Sequence, residues 1–184
     1  SASYAARLVE EGAAIIDVGG ESARPGAEGI PVDEELRRVV PALERIVLAC
    51  PAARISIDTT KAAVAERALA LGATMVNDIS AMRHDRRMAE IVGSAGADVC
   101  LMHMRGPPAT MQVEPVYEDV VSDVLAFLEE RIESAVAAGI APARICVDPG
   151  IGFGKTVEHN LQLVAGIPRL AELGHPVVIG ASRK

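Results

Sequence analysis

Aromatic side chains are almost missing from this 184-residue sequence, which contains no tryptophan, two phenylalanines and two tyrosines. Half of the residues are apolar, so the chain has enough material for a core of small aliphatic side chains, which suits helices packed on a parallel sheet. Net positive charge is also missing, because 25 acidic residues outnumber 18 lysines and arginines and give a net charge of −7. Since there is no basic stripe with interleaved aromatic residues, we expect no nucleic-acid partner.

Spanning and targeting segments are missing as well. No apolar stretch approaches the ~18–20 uncharged residues that cross a membrane. Arg7, Glu10 and Glu11 interrupt any apolar region that would serve as a signal peptide. We therefore expect no membrane partner. Ser1 stands where a start methionine would be, which indicates a natural N-terminus elsewhere.

Cysteine is limited to Cys50, Cys100 and Cys146, an odd number with wide spacing. This pattern disfavours a disulfide framework and favours a reducing, cytoplasmic location. Cys100 and Cys146 fall inside predicted strands, where cysteine behaves as a small hydrophobic residue.

Six short apolar runs each end in polar side chains. Because the runs lack alternation, they are typical of strands buried on both faces. Helical periodicity separates most of them, and this β-α order indicates a parallel sheet, since parallel strands need long crossovers. The polar groups then form one rim, where ligands bind in α/β folds. The predicted strands span 14–18, 54–58, 74–78, 98–103, 144–148 and 176–180.

The predicted helices carry start and stop signals. Asp33 is a candidate N-cap, as are Thr59 and Thr60, and Gly72 is placed to end a helix. Pro41 is expected to kink or split its helix. The predicted helices span 4–11, 33–48, 61–71, 87–93, 116–138 and 159–173.

No low-complexity linker divides the chain, so we expect a single domain over 1–184. The β-α repeat predicts the α/β class and a (β/α)₈ barrel. Because such a barrel usually takes ~250 residues, we expect it to be truncated to about six β/α units, without its first strand and its last units.

The strongest local motif is DPGIGFGK, from Asp148 to Lys155, which follows a predicted strand. Its alternating glycines allow a backbone to approach a ligand closely. The phosphate-loop pattern does not match, because Pro149 occupies a position where that pattern requires glycine. The dinucleotide fingerprint does not match either, because Lys155 occupies the position of its third glycine. For Asp-Pro-Gly alone, a tight turn capped by Asp148 is an equally good interpretation.

A second motif runs from Ile15 to Gly26. Asp17 is placed at a strand end, where a buried carboxylate needs a donor partner. Ser22, Arg24 and nearby backbone N–H groups are suited to grip an anion. The alternative is a plain exposed loop with one salt bridge.

Asp58, Asn77 and Asp148 place two carboxylates and an amide at strand ends. Together they suit the edge of a flat heterocycle with ring N–H, amino and oxo groups, such as a guanine or a pterin. Met102 is suited to line such a pocket, since methionine adapts to flat rings. Each residue taken singly is as well explained by a cap, a structural hydrogen bond or core packing. His103 is more typical of a structural histidine than of a base.

Ser182, Arg183 and Lys184 follow the last predicted strand and supply a hydroxyl and two cations. Cations in this place are suited to hold a phosphate or a ring oxo group. The alternative is a solvated charged segment, which the buried strand directly before it disfavours.

Taken in order, these motifs resemble the dihydropteroate synthase family across essentially the whole chain. The resemblance implies a (β/α)₈ barrel and a transferase of folate biosynthesis. The family reaction joins 6-hydroxymethyl-7,8-dihydropterin diphosphate to p-aminobenzoate and releases diphosphate, with Mg²⁺ as cofactor. Sulfonamides mimic the p-aminobenzoate. The matching stretches are Ile15–Pro25, Ser56–Thr60, Val76–Ser80, Leu101–Met104, Asp148–Lys155 and Ile179–Lys184.

The same resemblance implies roles for individual residues. Asp58, Asp148 and Lys184 are the implied catalytic residues, and the two carboxylates would stabilise a pterin methylene that becomes cationic as diphosphate leaves. The weakly basic aniline nitrogen then attacks, with no covalent enzyme intermediate. The implied substrate-binding residues fall into groups by the part of the substrates that they would contact. Asn77 would lie at the pterin edge, Met102, Phe153 and Gly180 would line the pocket, and Ser22 would meet the diphosphate. Arg24, Pro25 and Ser182 would border the aminobenzoate; Asp17 also belongs to the implied set, as does Ala23, and Ala23 stands where the family often has threonine.

Two family segments are not found in this sequence. One is an Asn-x-Thr-x-Asp-Ser-Phe stretch, whose Asn is the usual Mg²⁺ ligand, and the other is a final Arg-x-His stretch that binds diphosphate. No metal ligand is therefore assigned within this chain. We expect the 184-residue chain to be inactive alone and the full-length protein to be a homodimer.

Two other functions stay open. A pterin-binding methyltransferase, which carries methyl groups from tetrahydrofolates to corrinoids, would share the barrel and the pterin edge. It would not need the diphosphate loop Ser22–Gly26 or the segment Ser182–Lys184, so these segments argue against it. A non-catalytic pterin-binding homologue is the second alternative.

Overall fold

The computed structural model describes residues 2–24, 26–106, 110–113 and 115–180. Strands and helices alternate along them, as predicted. The strands are β1 (Ile15–Gly19), β2 (Arg54–Asp58), β3 (Met75–Asp78), β4 (Asp98–Met102) and β5 (Ile145–Asp148). The helices are α1 (Ala2–Glu10), α2 (Val32–Ala49), α3 (Ala62–Ala70), α4 (Met88–Ala95), α5 (Val120–Ala137), α6 (Val157–Ala165) and α7 (Ile167–Ala171), with a 3₁₀ turn at Pro142–Arg144.

These five strands form one parallel sheet in which each strand lies beside the next one in the chain. A parallel sheet with this order and with alternating helices is an arc of a (β/α)₈ barrel wall. Successive side chains of a strand point to opposite faces. One set packs against the helices in the main core, including Ile16, Val18, Ile57, Val76 and Leu101. The alternate set faces the interior of the arc.

The predicted strand 176–180 is reduced to a single bridge, in which Val177 pairs in parallel with Val147. The Val147 N–H donates to the Pro176 carbonyl at 3.0 Å, and the Val147 carbonyl accepts from the Val178 N–H at 2.8 Å. Within the described ranges, the six predicted units therefore become five strands and this bridge.

Two prolines explain why the ladder stops there. Continuing it in either direction requires the N–H groups of Pro149 and Pro176, and proline has none. Beside Pro176, the ring nitrogen Nδ1 of His175 lies 3.2 Å from the Ile145 carbonyl that a ladder bond would otherwise use. The apolar run is typical of a strand, but Pro176 within the run and Pro149 after β5 both lack the N–H groups that a longer ladder needs.

Helix α2 begins after Pro31, and no side chain caps it, so the prediction that Asp33 is the N-cap was wrong. Asp33 is instead one of three acidic residues in the first turn, where negative charge is favourable near the helix N-terminus. Pro41 does not split the helix. The burial of the apolar stripe outweighs the one hydrogen bond that proline removes; the stripe consists of Val39, Leu43 and Ile46.

The start of α3 depends on a distant residue. Neither Thr59 nor Thr60 caps it, contrary to prediction. The N–H of Ala62 instead donates to the carboxylate of Asp85 at 2.9 Å, from the segment after β3. Gly72 does end the helix as predicted: it has φ +111°, and it sits in a Schellman motif that closes the last carbonyls.

Helix α5 is shorter than the predicted 116–138 helix. Asp119 caps it, accepting hydrogen bonds from the backbone N–H groups of Val121 and Ser122 at 3.1 and 3.2 Å. Val116 has the helical spacing but lies before this cap and is exposed. The periodic pattern therefore extends beyond the helix that the cap defines.

The predicted helix 159–173 is broken into α6 and α7 at Gly166. A Cβ at Gly166 would lie 3.0 Å from both methyl carbons of Val121, so the glycine allows α6 to approach α5 closely. Pro168 follows in the first turn of α7, where a missing N–H is tolerated. Together the two residues interrupt the hydrogen-bond ladder of one helix and start another.

Leu43 and Leu48 lie on the same helix with opposite burial, at 0% and 82% exposure. We expect Leu43→Ala to lower the free energy of unfolding by about 2–5 kcal/mol, because it leaves a cavity in the core. The matched control Leu48→Ala should change it by less than about 0.5 kcal/mol. Urea unfolding followed by circular dichroism measures both, and equal effects would contradict this placement of α2.

Candidate functional site

The inner face of the sheet collects the polar residues predicted to form a site. Asp58 pairs with Asn77 across β2 and β3, and Asn77 pairs with Cys100 across β3 and β4. Cys100 pairs in turn with Cys146 on β5. Asp148 lies two residues beyond Cys146, and therefore on the same face. The structure thus brings Asp58, Asn77 and Asp148 together at one end of the sheet.

Asp17 was predicted to be a buried carboxylate at a strand end, and both points were wrong. It lies in the middle of β1, opposite Ser56, and it is exposed. Its expected donor partners are present, however: the Ser56 hydroxyl donates to Oδ1, and the Asn77 amide donates to Oδ2 at 3.1 Å. Asp17 therefore orients the amide of Asn77 across two strands.

The turn after β5 shows what its glycines do. Asp148 Oδ1 accepts the Gly150 N–H at 2.7 Å, which is the capped turn considered as the alternative. A Cβ at Gly150 would lie 1.9 Å from the His103 carbonyl oxygen, and one at Gly154 would lie 2.7 Å from that of Arg105. At these two positions the missing Cβ allows close contact with the segment after β4, and the approach of the glycine backbone to a ligand stays a prediction. The other oxygen of Asp148, Oδ2, faces Gly180, where a Cβ would lie 3.9 Å away.

A buried ammonium holds this turn to β4. Lys155 Nζ donates to the carbonyls of Phe153 at 2.9 Å, Gly150 at 3.0 Å and His103 at 3.3 Å. It also lies 2.9 Å from His103 Nδ1. Burial lowers the pKa of Lys155 to about 7, and the negative charge of Asp148 opposes that shift. Sequence reasoning assigned no role to Lys155, although a lysine that ends a glycine-rich turn was a signal.

The sequence favoured a structural role for His103 over a role as a base, and the surroundings of its side chain fit that expectation. Its ring is buried and meets Phe127 edge to face, with centroids 4.9 Å apart. Burial, reinforced by the nearby positive charges of Lys155 and Arg83, lowers the pKa of His103 to about 3. The imidazole is therefore neutral, which suits its contact with the Lys155 ammonium.

An apolar cluster lies beside this turn. Met102 at the end of β4 and Phe153 in the turn are both buried in it, together with Met104 and Met111. Ala23, from the segment after β1, packs against the same cluster. The structure thus brings two of the predicted pocket residues, Met102 and Phe153, into contact with one cluster, against which Ala23 of the predicted diphosphate loop also packs.

The segment after β1 is held by a partly buried charge cluster that sequence reasoning missed. Lys61 Nζ lies 2.7 Å from Glu21 Oε2 and 2.5 Å from Glu35 Oε2. Burial acts to raise the pKa of Glu21, but the hydrogen bonds from Lys61 and the Ile30 N–H outweigh it and lower that pKa. Glu35 is fully buried, and its position in the apolar stripe of α2 was the available signal.

Ser22 and Arg24 lie within this anchored segment and are both exposed. The Arg24 N–H lies 3.4 Å from the Ser22 hydroxyl. Pro25, Ser182 and Lys184, which were also predicted to be site residues, lie outside the described residues.

The turn after β3 is strained and held by one carboxylate. Ala81 and Met82 have φ of +50° and +61°, which side chains other than glycine adopt at a cost. Asp78 accepts the N–H groups of Ser80 and Met82 at 2.7 and 3.0 Å. Burial raises the pKa of Asp78. This buried carboxylate follows Asn77 directly and fixes where β3 ends.

The described part of the chain has neither a cluster of metal-ligating side chains nor a membrane-spanning helix. No group of three or more His, Cys, Asp or Glu side chains is arranged there to hold a metal ion. No helix there is long and apolar enough to cross a membrane.

The fold and this site define a class of protein: residues 1–184 match the family described as "Pterin binding enzyme", and the chain belongs to that family. Its similar relatives are dihydropteroate synthases. The enzyme of Neisseria meningitidis serogroup C is 44% identical over 184 residues, which are 99% of this chain and 64% of that enzyme. The chain thus spans about 64% of the length of that relative.

Solved structures of dihydropteroate synthases are also similar to this chain in both fold and sequence. The Xanthomonas albilineans dihydropteroate synthase with 4-aminobenzoic acid has a TM-score of 0.93 and 48% identity, covering 100% of this chain and 64% of that one. The Yersinia pestis dihydropteroate synthase in a sulfonamide drug complex has a TM-score of 0.95 and 42% identity, covering 99% of this chain and 66% of that one.

The buried His103 predicts a pH dependence of stability. Its pKa is about 3 when folded and 6.5 in its ordinary state, so between these values the unfolded chain binds more protons. The free energy of unfolding should therefore fall as the pH drops below about 6.5, by at most about 1.4 kcal/mol per pH unit. Urea midpoints at about pH 7 and about pH 5 measure this loss.

The variant His103→Gln should remove much of that pH dependence. His84→Gln, at an exposed position, is the matched control and should keep it. If both variants lose stability with acid as the unmodified protein does, the neutral buried state of His103 is wrong.

Proposed function

We propose that this chain carries the pterin site of a dihydropteroate synthase. The reaction would join 6-hydroxymethyl-7,8-dihydropterin diphosphate to p-aminobenzoate and release diphosphate. One observation carries the proposal: Asp58, Asn77 and Asp148 lie on one inner face of the sheet, in a chain 44% identical to such an enzyme over nearly its whole length.

The inner face suits a pterin in both its chemistry and its shape. Two carboxylates and an amide match the donor and acceptor pattern along the edge of the ring system. Because Asp17 holds the Asn77 amide, that side chain is oriented before a ligand arrives. Met102 and Phe153 supply an apolar wall for the flat face of the ring.

The proposed chemistry needs only charge stabilisation and positioning. The bond between the pterin methylene carbon and the diphosphate oxygen breaks, and the electron pair leaves with diphosphate. The carboxylates of Asp58 and Asp148 stabilise the cationic methylene. The aniline nitrogen of p-aminobenzoate then forms the new C–N bond and loses a proton.

The segment after β1 would receive the diphosphate and border the aminobenzoate. Ser22 and Arg24 are exposed there, while the cluster of Glu21, Lys61 and Glu35 holds the base of the segment. Such an anchored, anion-accepting loop favours the synthase over a pterin-binding methyltransferase. The roles proposed for Pro25, Ser182 and Lys184 rest on the resemblance.

Mg²⁺ also enters through the resemblance to the family. The described residues offer no cluster suited to hold it, so no step above is routed through a metal. A homodimeric full-length protein and a cytoplasmic location stay predictions.

Sequential calorimetric titration tests the proposal, with a dihydropteroate synthase relative as positive control. We expect p-aminobenzoate to bind only after diphosphate or its pterin ester. Pterin binding without any aminobenzoate binding would instead support a methyltransferase or a non-catalytic homologue. If the chain binds no pterin while the control does, the proposal is wrong.

The substitution Asp148→Asn tests the pterin edge. Asparagine keeps an acceptor for the Gly150 N–H, so the turn should survive, but it removes the charge. We expect pterin affinity to fall about 10- to 100-fold, the effect of losing a charged hydrogen bond of about 1.5–3 kcal/mol.

The matched control is Asp98→Asn, at the opposite end of the sheet. Asp98 pairs there with Arg54 and Arg144 at 2.5 and 3.1 Å, away from the predicted pterin edge. It should leave pterin affinity unchanged. Equal affinities of Asp148→Asn and the unmodified protein would remove Asp148 from the site.

A further inference from the structure

A negatively charged side chain lies at the start of the segment proposed to receive the diphosphate. Glu21 directly precedes Ser22 and is only partly buried. On charge alone, a carboxylate in this place would repel an anion. The contacts of Glu21 point to a different effect, because its carboxylate is held by groups of the protein itself.

The carboxylate of Glu21 joins two distant points of the backbone. Its Oε2 accepts the Ile30 N–H at 2.7 Å, directly before the Pro31 that precedes α2. The same oxygen lies 2.7 Å from Lys61 Nζ. One side chain therefore closes the segment between Glu21 and Ile30 and attaches it to the start of α3.

Lys61 connects Glu21 to the framework of the sheet and helices. It follows shortly after Asp58, the last residue of β2, and its Nζ lies 2.5 Å from Oε2 of the fully buried Glu35 on α2. Burial acts to lower the pKa of Lys61, but its hydrogen bonds to Glu21 and Glu35 outweigh it and raise that pKa. The ammonium therefore stays charged and holds both carboxylates.

The backbone directly before Glu21 is docked on helix α2. A Cβ at Gly20 would lie 2.8 Å from Val39 Cγ1 and 2.9 Å from Glu35 Cγ, so only glycine allows this approach. The Gly20 carbonyl also accepts a hydrogen bond from Arg38 at 3.0 Å. The position from which the Glu21 side chain extends is therefore fixed.

We infer that Glu21 is a positioning residue for the diphosphate group of the substrate, whose binding it favours in spite of its own negative charge. It holds the segment that carries the exposed side chains of Ser22 and Arg24 in one arrangement before the ligand arrives, so less conformational entropy is lost on binding. The Lys61 ammonium offsets the charge of Glu21. The inference rests on the proposed function, and it assigns Glu21 no contact with the reacting atoms.

Two substitutions separate the charge of Glu21 from its reach. Glu21→Asp keeps the charge but shortens the side chain by a methylene group, so it cannot hold Lys61 and the Ile30 N–H together. Glu21→Gln removes the charge and keeps an acceptor at the same reach. In calorimetric titration with 6-hydroxymethyl-7,8-dihydropterin diphosphate, we expect Glu21→Asp to bind about 10-fold more weakly than the unmodified protein, and Glu21→Gln to stay within about threefold of it.

A second ligand and a control variant make the result specific. The affinity for 6-hydroxymethylpterin, which lacks the diphosphate, should be unchanged in every variant, because the pterin edge lies on the strands. Glu28→Gln is the matched control, since it removes a charge from an exposed position of the same segment. It should bind the diphosphate ester at least as tightly as the unmodified protein.

The opposite results are distinct from a failure of the proposed function. If Glu21→Asp binds the diphosphate ester as tightly as the unmodified protein, or if it loses both ligands equally, the positioning role is wrong and the proposed function stands. Glu21→Ser, which also lacks the reach, gives the same test if circular dichroism shows that Glu21→Asp is unfolded. If the unmodified protein binds neither ligand while a synthase relative binds both, the proposed function is wrong and this inference falls with it.

Discussion

In every strand of this sheet alternate side chains face opposite ways, and the parallel register decides which of them become neighbours. The constraint is strict because one face is covered by helices: a slip of one residue would move Ile57 out of the core and Asp58 into it. Asp58, Asn77, Cys100 and Cys146 form one row only because each strand keeps its register with the next. The candidate site is a consequence of the same packing that stabilises the fold.

Buried and partly buried charges then attach the connecting segments to this frame. Lys155 ties the turn after β5 to the end of β4, and Lys61 ties the segment after β1 to helix α2. The carboxylates around Lys61 more than offset the cost of burying its charge and raise its pKa, whereas at Lys155 the cost of burial dominates and lowers the pKa to about 7. Backbone segments that would otherwise be loosely held are thereby placed beside the polar inner row.

Some of this structure was already contained in the sequence. The apolar runs before Asp58, Asn77 and Asp148 predicted the parallel β-α order and the polar rim, because local periodicity reflects which faces are buried. The octapeptide from Asp148 to Lys155 was visible as a motif. The tertiary structure alone decided the partners of Asp17, the hydrogen bond from α3 to Asp85, and the carbonyl groups to which Lys155 donates. Those contacts join residues far apart in the chain, and a hydrogen bond between distant residues exists only once packing has brought its donor and acceptor together.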